Sequence, residues 1–426
     1  MKMRPFGRLI PAAVAQRRLL RAVRPVTAGE TIPLERALGR VAAAPVRSGA
    51  NVPAFARATW DGYAVRSAET RGARPDAPVR LRVVGEVYAE GGFAGTLGPG
   101  EAAAIATGGA VPNGADSVVI FEVVRAERGS VWIRKPVRRG DRIAAAGADF
   151  ARGASIVGRG DVLGPAALGA LASVGLTTVR VYRPPRVAII PNGNELVAPG
   201  RPLGTGQIYE CNNLTLGSVA RAAGAVVRTR PPVADDPRQI ERAIRAALPT
   251  SDLVLVTGGS SVGERDFLPT IFPRIGRLLF HGVAVRPGKP TLAVEAGGKL
   301  VIGMPGHPTS CLSNGFWLLL PVLRRLARLP GPGWSTGSAR LTEAYDPPTP
   351  GFATIIPLRV ADGWGHPTFH DSSAITSLAG ANAFAVVTDA PRRLTRGTRL
   401  PVHLLHPPLG AITPGDRTTR NKVPGG

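Results

Sequence analysis

Residues 252–266 read DLVLVTGGSSVGERD, and this stretch decides the fold more than any other part of the chain. Its apolar run is typical of a buried strand, and a turn rich in glycine and serine follows at once. Residues 259–263, GSSVG, fit the G-x-S-x-G pattern of serine hydrolases. The same residues also suit a loop that wraps around an anion and then presents the carboxylate of Asp266. The rest of the chain has to decide between a nucleophile and a ligand-binding turn.

The composition indicates a globular protein of several domains. The chain has 426 residues, of which 53 are glycine and 41 are proline, so we expect roughly two to four compact domains with short elements. The net charge of +24 has two open explanations, an arginine-rich set of solvated positions or a polyanionic partner. Basic patches with interleaved aromatic residues are absent, so we expect no nucleic acid as a partner.

Cysteine content and hydropathy bear on the compartment. Cys211 and Cys311 cannot form a disulfide framework or a zinc site on their own, which suits a reducing cytoplasm. Gln16, Arg17 and Arg18 interrupt the basic start of the chain before an apolar core develops, so a signal peptide is not expected. No apolar run reaches the length of about 18 residues that a membrane helix needs, and we expect no membrane span.

Strand-like and helix-like segments alternate around the opening stretch. Such alternation predicts a parallel sheet with helices on both faces, which binds ligands beyond the carboxyl ends of its strands. The predicted strands are 186–190, 225–228, 252–257 and 299–303, and the predicted helices are 214–224, 236–248 and 310–328, the last one kinked at Pro321.

The flanking regions have a different character. Residues 11–24 have the apolar spacing of an amphipathic helix, and residues 164–175 predict a helix that starts at proline and ends at glycine. Residues 51–150 and 331–409 carry short β-like runs between turn-forming residues. The polar tail at 410–426 is expected to be disordered.

Four loops that follow strands or β-like runs combine glycine with polar groups, at 190–196, 257–266, 285–291 and 302–310. Glycine lets backbone N–H groups converge on an anion, and Lys289 adds a mobile cation. A single such loop is more often just a turn, but four in one α/β unit predict a phosphate or anion site. None has the P-loop pattern G-x-x-x-x-G-K-[ST], so an ordinary nucleoside triphosphatase is not expected.

Carboxylates lie in similar settings in a chain that is poor in acidic residues. Carboxylates at glycine-rich turns near an anion indicate bound magnesium. Helix capping is an equal alternative for the adjacent pair Asp235 and Asp236. The candidates at loops or element ends are Asp61, Asp149, Glu195, Asp235 and Asp266.

The serine hydrolase interpretation needs an acid and a histidine after Ser261, in that order. Asp266 is too close in sequence to be the usual acid, and the six histidines lie in scattered settings. Ser261 is therefore expected to donate a hydrogen bond rather than to act as a nucleophile.

Ten motifs occur in an order that one family shares. They are ALGRVA (37–42), DGYAV (61–65), ATGGAVPNGAD (106–116), GADFARG (147–153), GNEL (193–196), GQIYECN (206–212), TGGSSVGERD (257–266), PGKP (287–290), MPGHPTS (304–310) and DSSAITSLAGAN (371–382). With these motifs the chain resembles the molybdopterin molybdenumtransferases, the molybdenum-insertion enzymes of molybdenum cofactor synthesis, which are related to the E domain of gephyrin. The resemblance extends from about residue 10 to residue 405.

The resemblance implies an α/β and β multidomain fold, in an elongated chain of four domains. Family members are homodimers whose site lies between the α/β domain of one subunit and parts of the other. The implied domains are an elongated helical and strand domain at 1–50 plus 150–182, a β-rich insertion domain at 51–149, a molybdopterin-binding-like three-layer α/β domain at 183–330 and a C-terminal β domain at 331–409.

The resemblance also implies a reaction in which molybdate is inserted into adenylylated molybdopterin, with Mg²⁺ assisting and AMP leaving. Glu195, Asp235 and Asp266 would hold the metal, and a molybdopterin adenylyltransferase and a molybdoenzyme would be protein partners. The loops expected to reach across from the second subunit carry Asp61, Thr107 and Asp149. The implied anion- and pterin-binding residues are Gly258, Gly259, Ser261, Gly263, Lys289, Pro305, Gly306, His307 and Ser310.

The chain departs from the family pattern at several positions. Residues 58–60 read ATW where the family has Ser-x-Met, residues 191–196 read PNGNEL in place of Ser-Thr-Gly-Asp-Glu-Leu, and His307 replaces an asparagine. The main carboxylates are kept, so activity is expected. The alternative is a non-catalytic or specialised molybdopterin-binding paralogue or scaffold. A related adenylyltransferase is disfavoured, because such enzymes resemble only the α/β unit.

Overall fold

The chain divides into two compact units, Met1–Gly29 with Tyr182–Gly426 and Glu30–Val181, each considered through its described residues. The tail predicted to be disordered, 410–426, lies outside those residues. The computed structural model describes residues 9–261, 263, 266–349, 351–388 and 392–405.

Short elements dominate the described residues, as the many glycines and prolines lead one to expect. The helices are α1 Ala12–Ala22, α2 Pro165–Ser173, α3 Asn212–Ala222, α4 Pro237–Ala247, α5 Leu268–Ile275, α6 Pro308–Asn314 and α7 Leu320–Leu326. The strands are β1 Ile10–Pro11, β2 Gly29–Pro33, β3 Val46–Arg47, β4 Arg57–Ala58, β5 Gly62–Val65, β6 Val79–Val87, β7 Glu101–Ile105, β8 Ser117–Ile120, β9 Val124–Glu127, β10 Ser130–Ile133, β11 Ile143–Ala144, β12 Ser155–Val157, β13 Thr178–Tyr182, β14 Arg186–Pro191, β15 Leu196–Val197, β16 Ile208–Tyr209, β17 Val226–Thr229, β18 Leu253–Thr257, β19 Arg277–His281, β20 Val283–Arg286, β21 Leu292–Ala296, β22 Lys299–Met304, β23 Trp334–Leu341, β24 Ala353–Ala361, β25 Trp364–Pro367, β26 Ala383–Val387 and β27 Arg399–Leu405.

The central sheet of the first unit has the strand order β17-β14-β18-β22-β21-β19. The first four strands are parallel, as predicted. The sheet also has an antiparallel edge that was not predicted, where β21 runs antiparallel to both β22 and β19. The reason lies in Gly297 and Gly298, which join β21 to β22 with positive φ angles of 58° and 76°. A two-glycine connection of this kind forms a tight hairpin and forces the strands to be antiparallel.

Both faces of this sheet are covered by helices, as the alternating pattern predicts. In β14, Val187 and Ile189 pack into a core that includes residues of α1, α3, α6 and α7. The intervening Ala188 and Ile190 pack into a second core with residues of α4 and α5. The sheet is thus the middle of three layers, and its strands are apolar on both sides because both sides are buried.

The helix predicted at 310–328 is interrupted earlier than expected. Between α6 and α7 the backbone forms a π-helical turn at Gly315–Leu319, upstream of the predicted kink at Pro321. Pro321 has no amide N–H to donate to the carbonyl of Trp317, so the regular helix cannot continue through this turn. The freed Trp317 carbonyl instead accepts a 2.8 Å hydrogen bond from Nε2 of Gln16 in α1.

Two further large sheets and four two-stranded sheets are present among the described residues. The first unit also contains a seven-stranded sheet of order β1-β20-β24-β25-β23-β27-β26, and the second unit contains a six-stranded sheet of order β8-β5-β7-β6-β10-β9. The fold is therefore multidomain, α/β and β, with few helices. Across the described residues, none of the helices has the length and apolar character that a membrane crossing would require.

Candidate active site

A cavity of about 750 Å³ opens at the carboxyl ends of β14, β18 and β22. The four glycine-containing loops that the sequence singled out, after β14, β18, β20 and β22, all contribute to its lining. A crevice beyond the carboxyl ends of parallel strands is the usual ligand site of such sheets. Twelve predicted site residues line this cavity: Glu195, Asp235, Gly258, Gly259, Ser261, Gly263, Asp266, Lys289, Pro305, Gly306, His307 and Ser310.

The turn after β18 is shaped by two glycines that pack against Asn192. Gly258 and Gly259 have φ angles of +86° and +62°, a region that side chains other than glycine rarely adopt. A Cβ on Gly258 would lie 2.3 Å from the carbonyl oxygen of Asn192, and a Cβ on Gly259 would lie 2.5 Å from its Oδ1. The two loops that follow β14 and β18 therefore approach each other as closely as backbone allows.

Asp266 fixes the same turn from its other end. Its Oδ1 accepts a hydrogen bond from the amide of Ser261 at 3.0 Å, and its Oδ2 accepts one from the amide of Gly263 at 2.7 Å. These two N–H groups therefore point at a carboxylate of the protein, whereas the sequence interpretation had the loop amides wrapping a ligand. Asp266 is half-buried and lines the cavity, so its carboxylate both orders the loop and faces the ligand space.

Asp235 is held by the loop after β14. Nδ2 of Asn192 donates to its Oδ1 at 3.0 Å, and the amide of Asn194 donates to its Oδ2 at 3.3 Å. Its own amide donates to Oδ1 of Asn194 at 3.0 Å. The capping role belongs to Asp236, whose Oδ1 accepts from the amide of Gln239 at 2.8 Å in the first turn of α4. The two adjacent aspartates thus have separate tasks.

Positive charge enters the cavity from the loop after β20, through Arg286 and Lys289. Buried Asn314 holds this loop, because its Nδ2 donates to the carbonyl of Gly288 at 2.9 Å and to Oγ1 of Thr291 at 2.7 Å. The cavity therefore presents cations from the end of β20 and the loop after it, and carboxylates from the segments after β14, β17, β18 and β25.

The loop at the start of α6 is tied to a segment from the region after β25. Nδ1 of His307 lies 3.1 Å from Oγ of Ser372, and Oγ1 of Thr309 donates to the carbonyl of Ala374 at 2.6 Å. Hydrogen bonds from Ser373 lower the pKa of Asp371, and the charge of His307 adds a small contribution in the same direction. The contacts of His307 and Thr309 hold this segment at the cavity, which Asp371 and Ser372 line.

The three remaining predicted residues lie in the second unit. The amide of Thr107 donates to Oδ1 of Asp61 at 2.6 Å, and this bond, followed by one from the Thr107 side chain, lowers the pKa of Asp61. Asp149 follows at a separate loop, where its amide donates to the carbonyl of Val52 at 2.9 Å. The structure thus pairs Asp61 with Thr107.

The predicted metal ligands share one cavity without forming a closed cage. In the part of the chain that the structure describes, no three His, Cys, Asp or Glu side chains are grouped so as to hold a metal ion. Glu195 is exposed at the cavity wall, whereas Asp235 and Asp266 are half-buried and hydrogen-bonded.

Several lining residues were not predicted. Asn192 counted only as a departure from a family pattern, although its buried side chain bridges two site loops. Arg286 directly precedes the Pro-Gly-Lys-Pro motif at 287–290, and this position could have identified it as a residue of the site. Phe369 gave no signal, because it reaches the cavity through the tertiary fold. The additional lining residues are Asn192, Gly193, Ser260, Arg286, Pro287, Gly288, Pro290, Pro348, Phe369, Asp371 and Ser372.

Three family descriptions match successive parts of the chain. They are the MoeA N-terminal region (domain I and II) at residues 10–175, a probable molybdopterin binding domain at residues 188–325, and the MoeA C-terminal region (domain IV) at residues 338–405.

Full-length relatives and solved structures agree with these matches. The molybdopterin molybdenumtransferase of Bacillus subtilis is 32% identical over 405 residues, which cover 92% of this chain and 94% of the relative. Molybdopterin molybdenumtransferase 2 of Mycobacterium tuberculosis is 35% identical over 336 residues, covering 78% of this chain and 82% of the relative. Two crystal structures of the MoeA molybdopterin biosynthesis protein from Pyrococcus horikoshii have TM-scores of 0.81 and cover 93% of this chain and 99% and 100% of their own, at 34% and 27% identity.

Proposed function

The chain belongs to the molybdopterin molybdenumtransferase family, and on that premise we propose that its cavity binds adenylylated molybdopterin and molybdate and releases AMP as molybdenum is inserted. The chain is accordingly an enzyme of the transferase class in molybdenum cofactor biosynthesis. One observation carries the assignment of the reaction to this cavity: four loops bring carboxylates and cations together around a space of about 750 Å³. Ligand sites of small-molecule enzymes span about 300–1,000 Å³.

The cations of the loop after β20 suit the charge of both substrates. Molybdate and the phosphates of the adenylate are oxyanions, and Arg286 and Lys289 line the same cavity. Fixed positive charge lowers the energy of a transition state in which negative charge moves onto a leaving phosphate. We therefore assign to these two side chains the binding of the phosphates and the stabilisation of the departing AMP.

The carboxylates of Asp235 and Asp266, which the protein holds in place, are suited to orienting the substrate. Asp235 and Asp266 each accept two hydrogen bonds from the protein, so their orientation is set before substrate arrives. A carboxylate offers about four lone-pair positions, so each retains acceptor capacity for a further ligand. We assign to them the orientation of polar groups of the substrate at the reacting end of the cavity.

The carboxylates of this cavity also fit magnesium, which the family resemblance implies, but only as an open site in which the protein supplies part of the ligands. Magnesium commonly takes one or two carboxylates, several waters and substrate phosphates rather than a closed protein cage. Glu195, Asp235 and Asp266 would be its protein ligands, and the substrate would supply the rest. When bound, the metal would neutralise phosphate charge as a Lewis acid.

A homodimer would supply the rest of the site. We propose that Asp61, Thr107 and Asp149 act from the second subunit, as the family resemblance implies. The bond from the Thr107 amide keeps Asp61 ionised and oriented, which suits a group that meets a ligand at an open surface. The molecular mass in solution tests whether the chain is a dimer. Activity of a mixed dimer, in which one chain carries a substitution at Asp61 and the other one at Asp266, tests whether the two residues act from different subunits.

Several further assignments rest on the same premise. We propose a cytoplasmic enzyme that receives its substrate from a molybdopterin adenylyltransferase and serves a molybdoenzyme. We also propose the domain bounds 1–50 with 150–182, 51–149, 183–330 and 331–409. The two six-stranded sheets support the second and third of these domains, whereas the seven-stranded sheet joins β1 and β20 to the strands of 331–409.

A non-catalytic scaffold is not favoured, because relatives named as transferases match 92% and 78% of the chain. Alanine variants of Asp266 and Glu195 provide a direct test of the site. Each should lower AMP release strongly, and the variant of the exposed Glu195 should do so with the melting temperature nearly unchanged. Wild-type rates in both variants would refute the assignment of the reaction to this cavity.

A further inference from the structure

We propose that an arginine face formed by Arg17, Arg18, Arg21, Arg24 and Arg277 is a docking surface for an acidic protein segment. The surface does not depend on the proposed reaction, since none of its residues lines the cavity described above. Its occupant would be a carboxylate-rich stretch on the surface or terminus of another protein.

The charge on α1 is uncompensated within its own segment. Residues 9–29 contain four arginines and neither aspartate nor glutamate. Arg17 and Arg21 are one helical turn apart in α1, and like charges at this spacing destabilise a helix slightly. The helix dipole favours Arg21, which lies in the last turn, and Nη1 of Arg18 donates to the carbonyl of Leu279 at 2.6 Å, but neither interaction accounts for Arg17. Carboxylates of a bound partner would relieve the repulsion between these arginines.

The arginines border a groove of about 510 Å³ between α1 and β19. Its lining comprises Arg18, Arg21, Ala22, Arg24, Arg277, Leu278, Leu279 and Glu295. Arg24 and Arg277 expose 75% and 71% of their side chains, so their guanidinium groups can turn towards a ligand.

Glu295 illustrates what this groove binds. Its Oε2 lies 2.5 Å from Nη2 of Arg277, and its Oε1 lies 3.7 Å from Nη2 of Arg24. One carboxylate of the protein thus already lies between two arginines of opposite walls. Both arginines of these ion pairs are mostly exposed, and ion pairs at a surface contribute little to stability, so a partner's carboxylates can join them. Four lining arginines against one glutamate leave a surplus of positive charge.

The groove and the cavity lie at opposite ends of the strands of the central sheet. Glu295 pairs with Leu300 near the start of β22, whereas the cavity lies at the end of this strand, beyond Met304. At about 3.3 Å per residue, the strand separates the two places by roughly 15 Å. A partner bound at the arginine face would therefore leave the cavity open.

The lining favours an acidic protein segment over the other polyanions. Single-stranded nucleic acid is held by aromatic stacking, and the lining contains arginine, leucine, alanine and glutamate only. A membrane-surface helix needs an exposed apolar face, but α1 buries Ala12, Ala15 and Leu19 in the core. Carboxylates on a protein match the one anion that the groove already holds.

Fluorescence anisotropy with the full-length protein and a fluorescein-labelled decaglutamate peptide, at about 50 mM salt, tests the proposal. The test variant is Arg21→Glu/Arg24→Glu. The matched control is Arg238→Glu/Arg242→Glu, which makes the same charge change at exposed positions of α4. Affinity should fall about tenfold or more in the test variant and less than about twofold in the control, because only the test variant removes arginines of the groove. Should the test variant not fold, as judged by its thermal melt, Arg21→Gln/Arg24→Gln replaces it.

Equal losses in the two variants would overturn the proposal, because binding would then follow net charge alone. Tighter binding of duplex DNA or of phosphatidylserine vesicles than of the peptide, lost in the same test variant, would also overturn it and assign the face to another class of partner.

Discussion

Asp266→Asn isolates the contribution of one carboxylate to both the loop and the reaction. The asparagine keeps one oxygen, so it can accept from the amide of Ser261 or of Gly263, which lie 3.0 and 2.7 Å away, but not from both as an anion does. A hydrogen bond to a charged group contributes about 1.5–3 kcal/mol, and the half-buried position favours the lower end of this range. If the loop must be ordered in the transition state, kcat/KM for AMP release should fall about ten- to thirtyfold.

The control for this variant is the neighbouring-loop substitution Asp236→Ala. Asp236 caps α4 through the amide of Gln239, so its loss should cost about 1 kcal/mol of unfolding free energy and leave AMP release intact. Asp266→Asn should lower both the unfolding free energy and the rate, so the loss of rate distinguishes it from the control. An unchanged rate in Asp266→Asn, or an equal loss in both variants, would refute the reasoning.

Three other predictions follow from the contacts. Gly258→Ala should lower AMP release at least tenfold, because a left-handed residue costs about 1–2 kcal/mol and its Cβ would lie 2.3 Å from a carbonyl oxygen; wild-type kinetics would contradict this. Burial alone would raise the pKa of Asp252, but hydrogen bonds and charge from Arg183 and its neighbours lower it below 3.8. A carboxyl whose pKa is lower in the folded state stabilises the fold at pH values above its unfolded pKa, so Arg183→Ala should lower the free energy of unfolding by about 1–3 kcal/mol at pH 7. The difference from wild type in denaturant unfolding should shrink as the pH falls below about 4, and a constant difference would argue against this explanation. Burial raises the pKa of Cys311 well above its usual value, so iodoacetamide at neutral pH should label it only after unfolding, as mass spectrometry can check.

Local pattern was sufficient to predict the layers of the central sheet. Apolar runs bounded by glycine and proline located β14, β18 and β22, and the helical periodicity of 236–248 corresponds to α4 at Pro237–Ala247. The antiparallel edge was missed because β19 and β21 lie close together in sequence without a helical pattern between them, and only the two-glycine turn carried the information. The helix was predicted to kink at Pro321, but it is interrupted at Gly315–Leu319, because the N–H that a proline lacks would have bonded the carbonyl four residues earlier.

The site was predictable where a residue's local setting revealed its task. Glycine-rich turns after strands identified four loops that meet in one cavity. What sequence could not supply were contacts between loops. Asn192 contacts the turn after β18 and also holds Asp235, and neither contact follows from the residues beside it. The same holds for Asp236, which sequence could not separate from Asp235 until the capping bond to α4 was visible.

The most direct test of the central claim is the release of AMP from adenylylated molybdopterin by the purified chain, followed with and without molybdate in the presence of magnesium. A transferase of this family should release one AMP for each molybdenum incorporated, with a rate that depends on molybdate and falls in Asp266→Ala. Binding of the adenylate without any release of AMP, under conditions where a relative is active, would contradict the account.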